Sequence, residues 1–403
     1  MRLTIRALST GAPTAGAPTP GAPDHRPRRG RRAAPATAAV LAALALTATA
    51  CGPDNEKSTD AGATPAATAA TAPGGGKPGL PTSLQDVAGW KLDDWARFIG
   101  DNAFVNEVVQ GFWSIAKMED AKGRATPEYS HKSAGSSVQR DEPPAAIPAK
   151  PQPHPYSPAT AVVGKIFMTA PEGDSMCSGT VVSDPVNPGR SNLVYTAAHC
   201  LHDGKGGTWL KNIVFVPGYN RDGQASRGKR YTEQQVSPYG RWTAVKALVS
   251  PNWVKESGVG PNSQFDYGII RVRNENGSGL SLEEAVGGSI PIWFNAPREQ
   301  ITSAFSYGYP AERPFDGMEL NHCDSAVRPG RLSFDQTRPP MYVIGCTMTG
   351  GSSGGGWFIT RDGKPNLISV NSIGNRNPSE YMAGPSLQEQ AKQAFDYFSK
   401  NAK

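Results

Sequence analysis

CTMTGGSSGGGWF, residues 346–358, sets two adjacent serines among five glycines. A Gly/Ser run is ordinarily a loop or a linker. Here it is bounded by Cys346 and by the apolar Trp357, Phe358 and Ile359, so ordered structure is expected on both sides. A hydroxyl in such a turn becomes a nucleophile only when a base stands beside it, and the rest of the chain has to supply that base.

Six histidines are available. His25 lies in a basic leader, His131 and His154 in polar stretches, and His202 and His322 in loop-like surroundings. His199 differs, because VYTAAHC (194–200) places it at the end of an apolar, strand-like run. Metal binding by His199, Cys200 and His202 lacks the ligands of a tetrahedral site, so no metal or other cofactor is expected. A third group is needed to orient the imidazole. Asp266, just ahead of the apolar run YGIIRVR (267–273), is the candidate. Taken alone it would be an ordinary turn aspartate. The chain order His199, Asp266, Gly-flanked serine is the order of one known Ser-His-Asp triad.

The surroundings of these residues are strand-like. From Ala159 onward, short runs such as AVVGKIFM (161–168), SGTVVS (178–183), TAVKALV (243–249), MYVIGC (341–346) and NLISVNSI (366–373) are separated by Gly, Pro, Asn and Asp. One helical pattern follows at the end, PSLQEQAKQAFDYFSKNA. It has Ser386 and Glu389 at capping-box spacing and Leu387, Ala391, Ala394, Phe395 and Phe398 on one side. Paired β-barrels or a sandwich with a terminal helix are expected.

Taken together, CSGTVV, VYTAAHC, DYGIIRV and TGGSSGGGWF resemble the trypsin-like serine peptidases over about residues 158–385. YGYP (307–310) and the motif that follows look most like the bacterial glutamyl-endopeptidase branch. The resemblance implies an all-β, chymotrypsin-like fold of two antiparallel six-stranded barrels with a C-terminal helix. It also implies hydrolysis of peptide bonds in protein or peptide substrates. The family frame Gly-x-Ser-Gly-Gly fits only at Gly351 to Gly355, which makes Ser353 the nucleophile, His199 the base and Asp266 its orienter. Gly351 and Ser353 would then donate their N–H groups to the oxyanion, each worth on the order of 3 kcal/mol in the transition state. Ser352 stands where trypsins carry an aspartate, so an ion-pair activation switch is not expected. The resemblance also pairs Cys177 with Cys200 and Cys323 with Cys346, loops worth roughly 3 kcal/mol each. It places the substrate pocket at Thr347, Asn371, Ser372 and Gly374. None of these is charged, and no histidine follows His322, so an uncharged residue is expected before the cleaved bond. The alternative is a catalytically idle trypsin-like domain acting as a cell-surface binding module.

The remainder of the 403 residues reads as export and attachment. The formal net charge of +6 arises in residues 1–50, with seven arginines and one aspartate; the rest sums to zero, which removes an electrostatic case for nucleic-acid binding. RPRRGRR followed by an uncharged Ala-rich run reads as an export signal over 1–50. Five cysteines leave one over after pairing, and Cys51 sits where a lipid-modified cysteine would, so attachment to the outer face of a membrane is one expectation and plain secretion the other. Residues 51–82 read as an Ala/Thr/Pro/Gly tether, 83–132 as a helical segment with the role of a propeptide or of a fixed ornament, and 133–158 as a Pro-rich linker. The peptidase domain is expected over 159–403, as a monomer.

Overall fold

The structure is a computed structural model and describes residues 87, 89–106, 111–124, 138–142, 144–255, 260–374 and 380–402. These fall in one compact unit, residues 75–403. The stretches expected as export signal (1–50) and tether (51–82), Cys51 included, lie outside the described residues.

Three short strands come first: β1 (Lys122–Gly123), β2 (Gln139–Arg140) and β3 (Lys150–Pro151). Six longer ones follow: β4 (Val163–Ala170), β5 (Gly173–Val182), β6 (Leu193–Thr196), β7 (Lys211–Pro217), β8 (Trp242–Val249) and β9 (Gly268–Asn274). They pair antiparallel in the order β5-β4-β7-β8-β9-β6, and β6 returns to β5, so the sheet closes into a six-stranded barrel. Closure covers the edges where β5 and β6 meet, at Thr180–Val182. Ile166, Val194, Phe215 and Ile270 fill the interior, each fully buried. Register shifts at Phe167/Thr169 and Ala244/Lys246 mark bends in the ladders, as a small barrel requires.

The second half contains β10 (Ala304–Gly308), β11 (Asn321–Ser325), β12 (Gly330–Ser333), β13 (Met341–Gly345), β14 (Gly356–Arg361), β15 (Lys364–Val370), β16 (Ile373–Gly374) and β17 (Tyr381–Pro385). Here the detail departs from a second six-stranded sheet. The strands bond as two five-stranded sheets, β15-β14-β10-β11-β3 and β16-β17-β13-β12-β2. One core lies between them, with Trp357, Ile359 and Ile368 from the first sheet and Tyr342, Ile344 and Met382 from the second. The Cys323–Cys346 bridge joins the two, with Cα atoms 5.7 Å apart.

The last strand of each sheet comes from the Pro-rich stretch. Gln139–Arg140 pairs with β12, and Lys150–Pro151 pairs with β11. Proline suits both extended backbone and an edge strand, since its missing N–H is not needed there. Composition therefore gives extended chain correctly but says nothing of the surface it runs along.

Among its described residues the helical segment includes the short helices α1 (Leu92–Asp101) and α2 (Ile115–Asp120). α1 buries Trp95 and Phe98, and α2 buries Met118. Between them Asn106 acts as a clamp on the barrel: its Nδ2 donates to the Ile213 and Ala244 carbonyls at 3.0 and 2.9 Å, and its Oδ1 accepts from the Ile213 N–H at 2.9 Å. Trp113 Nε1 donates to the Asn212 carbonyl at 2.6 Å. The final helix, α3 (Glu389–Asn401), buries Ala391, Ala394, Phe395 and Phe398 as its period predicts. Its start is shifted. Gln388 is the N-cap, and Ser386 instead donates its hydroxyl to the Pro340 carbonyl at 2.6 Å, so the capping box does not form.

Lys165 of β4 is fully buried, donating to the Gly317 carbonyl at 3.1 Å over the Tyr219 ring. Burial pushes its ammonium pKa down to about 7. A lysine depressed on folding costs stability below that pH, and the cost lifts as pH rises toward the unfolded value. Lys165→Met is expected to raise Tm below pH 7, with the gap over the wild type narrowing between pH 7 and 10; a gap independent of pH would count against this.

Candidate active site

His199 sits in a single 3-10 turn, Ala198–Cys200, directly after β6. The Cys177–Cys200 bridge ties that turn to β5, with Cα atoms 6.1 Å apart. His199, Cys177 and Cys200 cluster closely, but the two sulfurs are bonded to each other and offer no thiolate ligand. Asp266 ends another 3-10 turn, Pro261–Phe265, just ahead of β9. Because β6 pairs with β9 up to Thr196↔Gly268, the two strand ends bring histidine and aspartate together.

Their contact is doubled. His199 Nδ1 and Asp266 Oδ2 are 2.7 Å apart, and the His199 N–H donates to Asp266 Oδ1 at 2.9 Å. Ser372 donates its hydroxyl to Asp266 Oδ2 at 2.6 Å. Burial alone would raise the Asp266 carboxyl, but the electrostatic pull of the His199 ring and these hydrogen bonds outweigh it and hold the group below its usual range. An ionised Asp266 places the ring proton on Nδ1, which leaves Nε2 as a base. Nε2 is buried and has no hydrogen-bond partner among the described residues.

The turn Gly350–Gly355 packs against this pair. A Cβ on Gly354 would lie 2.0 Å from Thr196 Oγ1 and 2.9 Å from the Ala197 nitrogen, so the serine turn touches the histidine turn at backbone distance. Gly354 has φ +78° and Gly351 φ +97°, conformations that favour glycine. A Cβ at 351 would also meet the Tyr309 carbonyl at 2.7 Å. The first barrel grips the turn through Ser178, whose N–H donates to the Ser353 carbonyl at 2.7 Å and whose hydroxyl donates to the Gly351 carbonyl at 2.9 Å. Both serines of the turn are fully buried. The Ser352 hydroxyl donates to the Thr349 carbonyl at 2.8 Å, which gives it a structural task.

The residues expected to line a substrate pocket carry hydrogen bonds or ladder positions of their own. Asn371 holds the serine turn: its Nδ2 donates to the Ser352 carbonyl at 2.8 Å, while Ser306 Oγ and Trp357 Nε1 donate to its Oδ1. Ser372 serves Asp266. Thr347 accepts the Ala149 N–H at 2.8 Å, and its own N–H donates to the Ile147 carbonyl. Gly374 is buried in β16, paired with Met382. The sequence carried one signal of this, a polar Asn-Ser pair straight after the buried Leu367–Val370 run, since buried polar side chains need partners.

No family model matches the chain. Serine protease 23 of Bos taurus is 24% identical over 200 residues, 48% of this chain and 46% of that protein. The human serine protease 23 is likewise 24% identical, with 45% of its length covered. The chain thus spans about half the length of the curated relatives it matches. Among solved structures, the thermostable serine protease AL20 from an extremophilic microorganism is 31% identical; the match covers 61% of this chain and all of that one, with a TM-score of 0.49. Protease Anisep from Arthrobacter nicotinovorans is 31% identical over 61% of this chain and 98% of its own, at TM-score 0.48. The resemblance is to serine proteases.

Proposed function

We propose that this chain is an exported serine endopeptidase that works through an acyl-enzyme. Ser353 attacks the carbonyl carbon of the scissile bond while His199 Nε2 takes the hydroxyl proton. The Gly351 and Ser353 N–H groups stabilise the oxyanion. His199 then returns the proton to the leaving amine, and water repeats the sequence to release the acid. One observation carries this reading: a histidine fixed twice by a buried carboxylate, with its other nitrogen buried and unpartnered among the described residues, beside a glycine-built serine turn. A rigid fluorophosphonate probe tests it. Labelling of the wild-type chain at Ser353 supports the enzyme; absence of labelling under denaturation-free conditions favours the binding-module reading.

Ser372 is a positioning residue in this scheme. Ser372→Ala removes a hydrogen bond to a buried carboxylate worth about 1.5 kcal/mol, so kcat should fall about tenfold with little change in KM. An equal rise in KM would assign Ser372 to substrate binding instead.

The glutamyl-endopeptidase branch is the one its motifs resemble, yet the preference proposed is for small or moderately apolar residues before the cleaved bond. Thr347 has no charge, and a desolvated charge without a partner is costly. A peptide-library digest dominated by lysine, arginine or glutamate at that position would refute it. Lipid attachment at Cys51 and the role of a propeptide for the segment ahead of the domain belong to the same reading. Uptake of labelled palmitate, lost in Cys51→Ala, checks the first.

A further inference from the structure

β5 has one stretch of edge that the barrel leaves open. Its residues 173–180 pair with β4 on one side, while β6 covers only Thr180–Val182 on the other. The open part, at Ser175 and Met176, lies next to the nucleophile turn: a Cβ on Gly351 would come within 3.1 Å of the Met176 methyl. A bare strand edge beside a catalytic serine is where an extended peptide gains main-chain hydrogen bonds.

The protein's own chain fills that edge. β1 runs parallel to β5 with Lys122 opposite Ser175 and Gly123 opposite Met176, and the Arg124 N–H donates to the Met176 carbonyl at 2.8 Å. Gly123 lies directly on the proposed oxyanion peptide. A Cβ there would stand 2.5 Å from the Gly350 carbonyl carbon and oxygen and 2.8 Å from the Gly351 nitrogen. Only a glycine backbone can come so close.

Arg124 pins the contact. Its Nη1 meets Glu172 Oε1 at 2.7 Å and its Nη2 meets Asp203 Oδ1 at 2.6 Å, with the side chain only 12% exposed. Glu172 precedes β5 and Asp203 follows the histidine turn, so one guanidinium bridges both walls beside the site. Upstream, Lys117 pairs with Asp174 at 2.9 Å, and Glu119 accepts the Gly228 N–H at 2.7 Å. The strap is therefore held along its length by the barrel it covers.

We propose that Lys122–Arg124 is an autoinhibitory strap, which occupies the place of a substrate backbone on β5 and closes one flank of Ser353. The inference rests on the peptidase reading and adds its regulation. The catalytic residues are assembled beneath the strap, so activity is controlled by access. A compact reagent that needs no strand edge meets less obstruction than a peptide that does.

The test uses the full chain as wild type, Arg124→Ala, Arg124→Lys and Gly123→Ala. Each is assayed for hydrolysis of a peptide that extends several residues to both sides of the cleaved bond, and for the rate of fluorophosphonate labelling. Loss of two charged hydrogen bonds in Arg124→Ala should raise peptide hydrolysis about tenfold or more, with a much smaller change in labelling. Arg124→Lys, which keeps a charge, should fall between the two. Gly123→Ala attacks a different contact and should also raise hydrolysis, because the strap must lift from Gly350. Unchanged peptide hydrolysis in both Arg124→Ala and Gly123→Ala, in chains that still label at Ser353, would overturn the strap and leave the peptidase reading standing. Absence of labelling in every chain would overturn the peptidase reading and the strap with it.

Discussion

Ser353→Ala is expected to abolish both fluorophosphonate labelling and peptide cleavage, whereas Ser352→Ala retains them. The two hydroxyls are neighbours in sequence, and both are buried, but their surroundings differ. Ser352 already donates to the Thr349 carbonyl, so its loss removes one internal hydrogen bond of a tight turn, worth about 1 kcal/mol. Ser353 belongs to the frame that sets glycine at 351, 354 and 355. Asp266→Asn should be nearly as damaging, with kcat down about 10⁴-fold, because an amide can donate to Nδ1 and so stabilise the wrong tautomer. Fold should survive in all three variants by circular dichroism. Labelling lost in Ser352→Ala but kept in Ser353→Ala would show that the turn presents the other hydroxyl.

Gly354→Ala is expected to be a severely damaging substitution. The backbone there has φ +78°, and the new carbon would lie 2.0 Å from Thr196 Oγ1 and 2.5 Å from the Ser178 carbonyl oxygen. Neither neighbour can yield cheaply: Ser178 is in a barrel ladder, and Thr196 Oγ1 donates to that same carbonyl at 2.8 Å. Relief means separating the nucleophile turn from the histidine turn, so activity should be lost together with about 3 kcal/mol or more of stability. Gly363→Ala provides the control. It has a similar φ of +73° but open space around it, so only the conformational penalty of about 1 kcal/mol applies. Equal Tm losses in the two variants would show that the close approach at Gly354 carries no weight.

The strands after Ala159 were readable because β-branched runs bounded by Gly, Pro, Asn and Asp report local preference, and local preference survives in the fold. The same is true of the buried face of α3, whose spacing is a property of the helix itself. His199 and Asp266 were readable as candidates because each sits at the end of such a run. The Cys177–Cys200 and Cys323–Cys346 pairings came from likeness to a family, and the geometry bears them out.

Tertiary structure decided everything that depends on which surfaces meet. Likeness to a family puts Asn371 and Ser372 in a pocket wall, but only the fold shows their side chains bonding the Ser352 carbonyl and Asp266, partners 19 and 106 positions away. The Pro-rich stretch is extended by its composition, but only the neighbouring strands make it the edge of two sheets. Gly123 and Arg124 carry no local signal at all. Their meaning arises from a backbone lying flat on Gly350 and a guanidinium between two carboxylates, Glu172 and Asp203, from different loops. Period and propensity are properties of a few consecutive residues, so the sequence determines the elements and the candidate triad. Hydrogen-bond satisfaction and close approach are properties of pairs far apart in the chain, so only the folded molecule determines what holds the candidate residues and which segments lie against them.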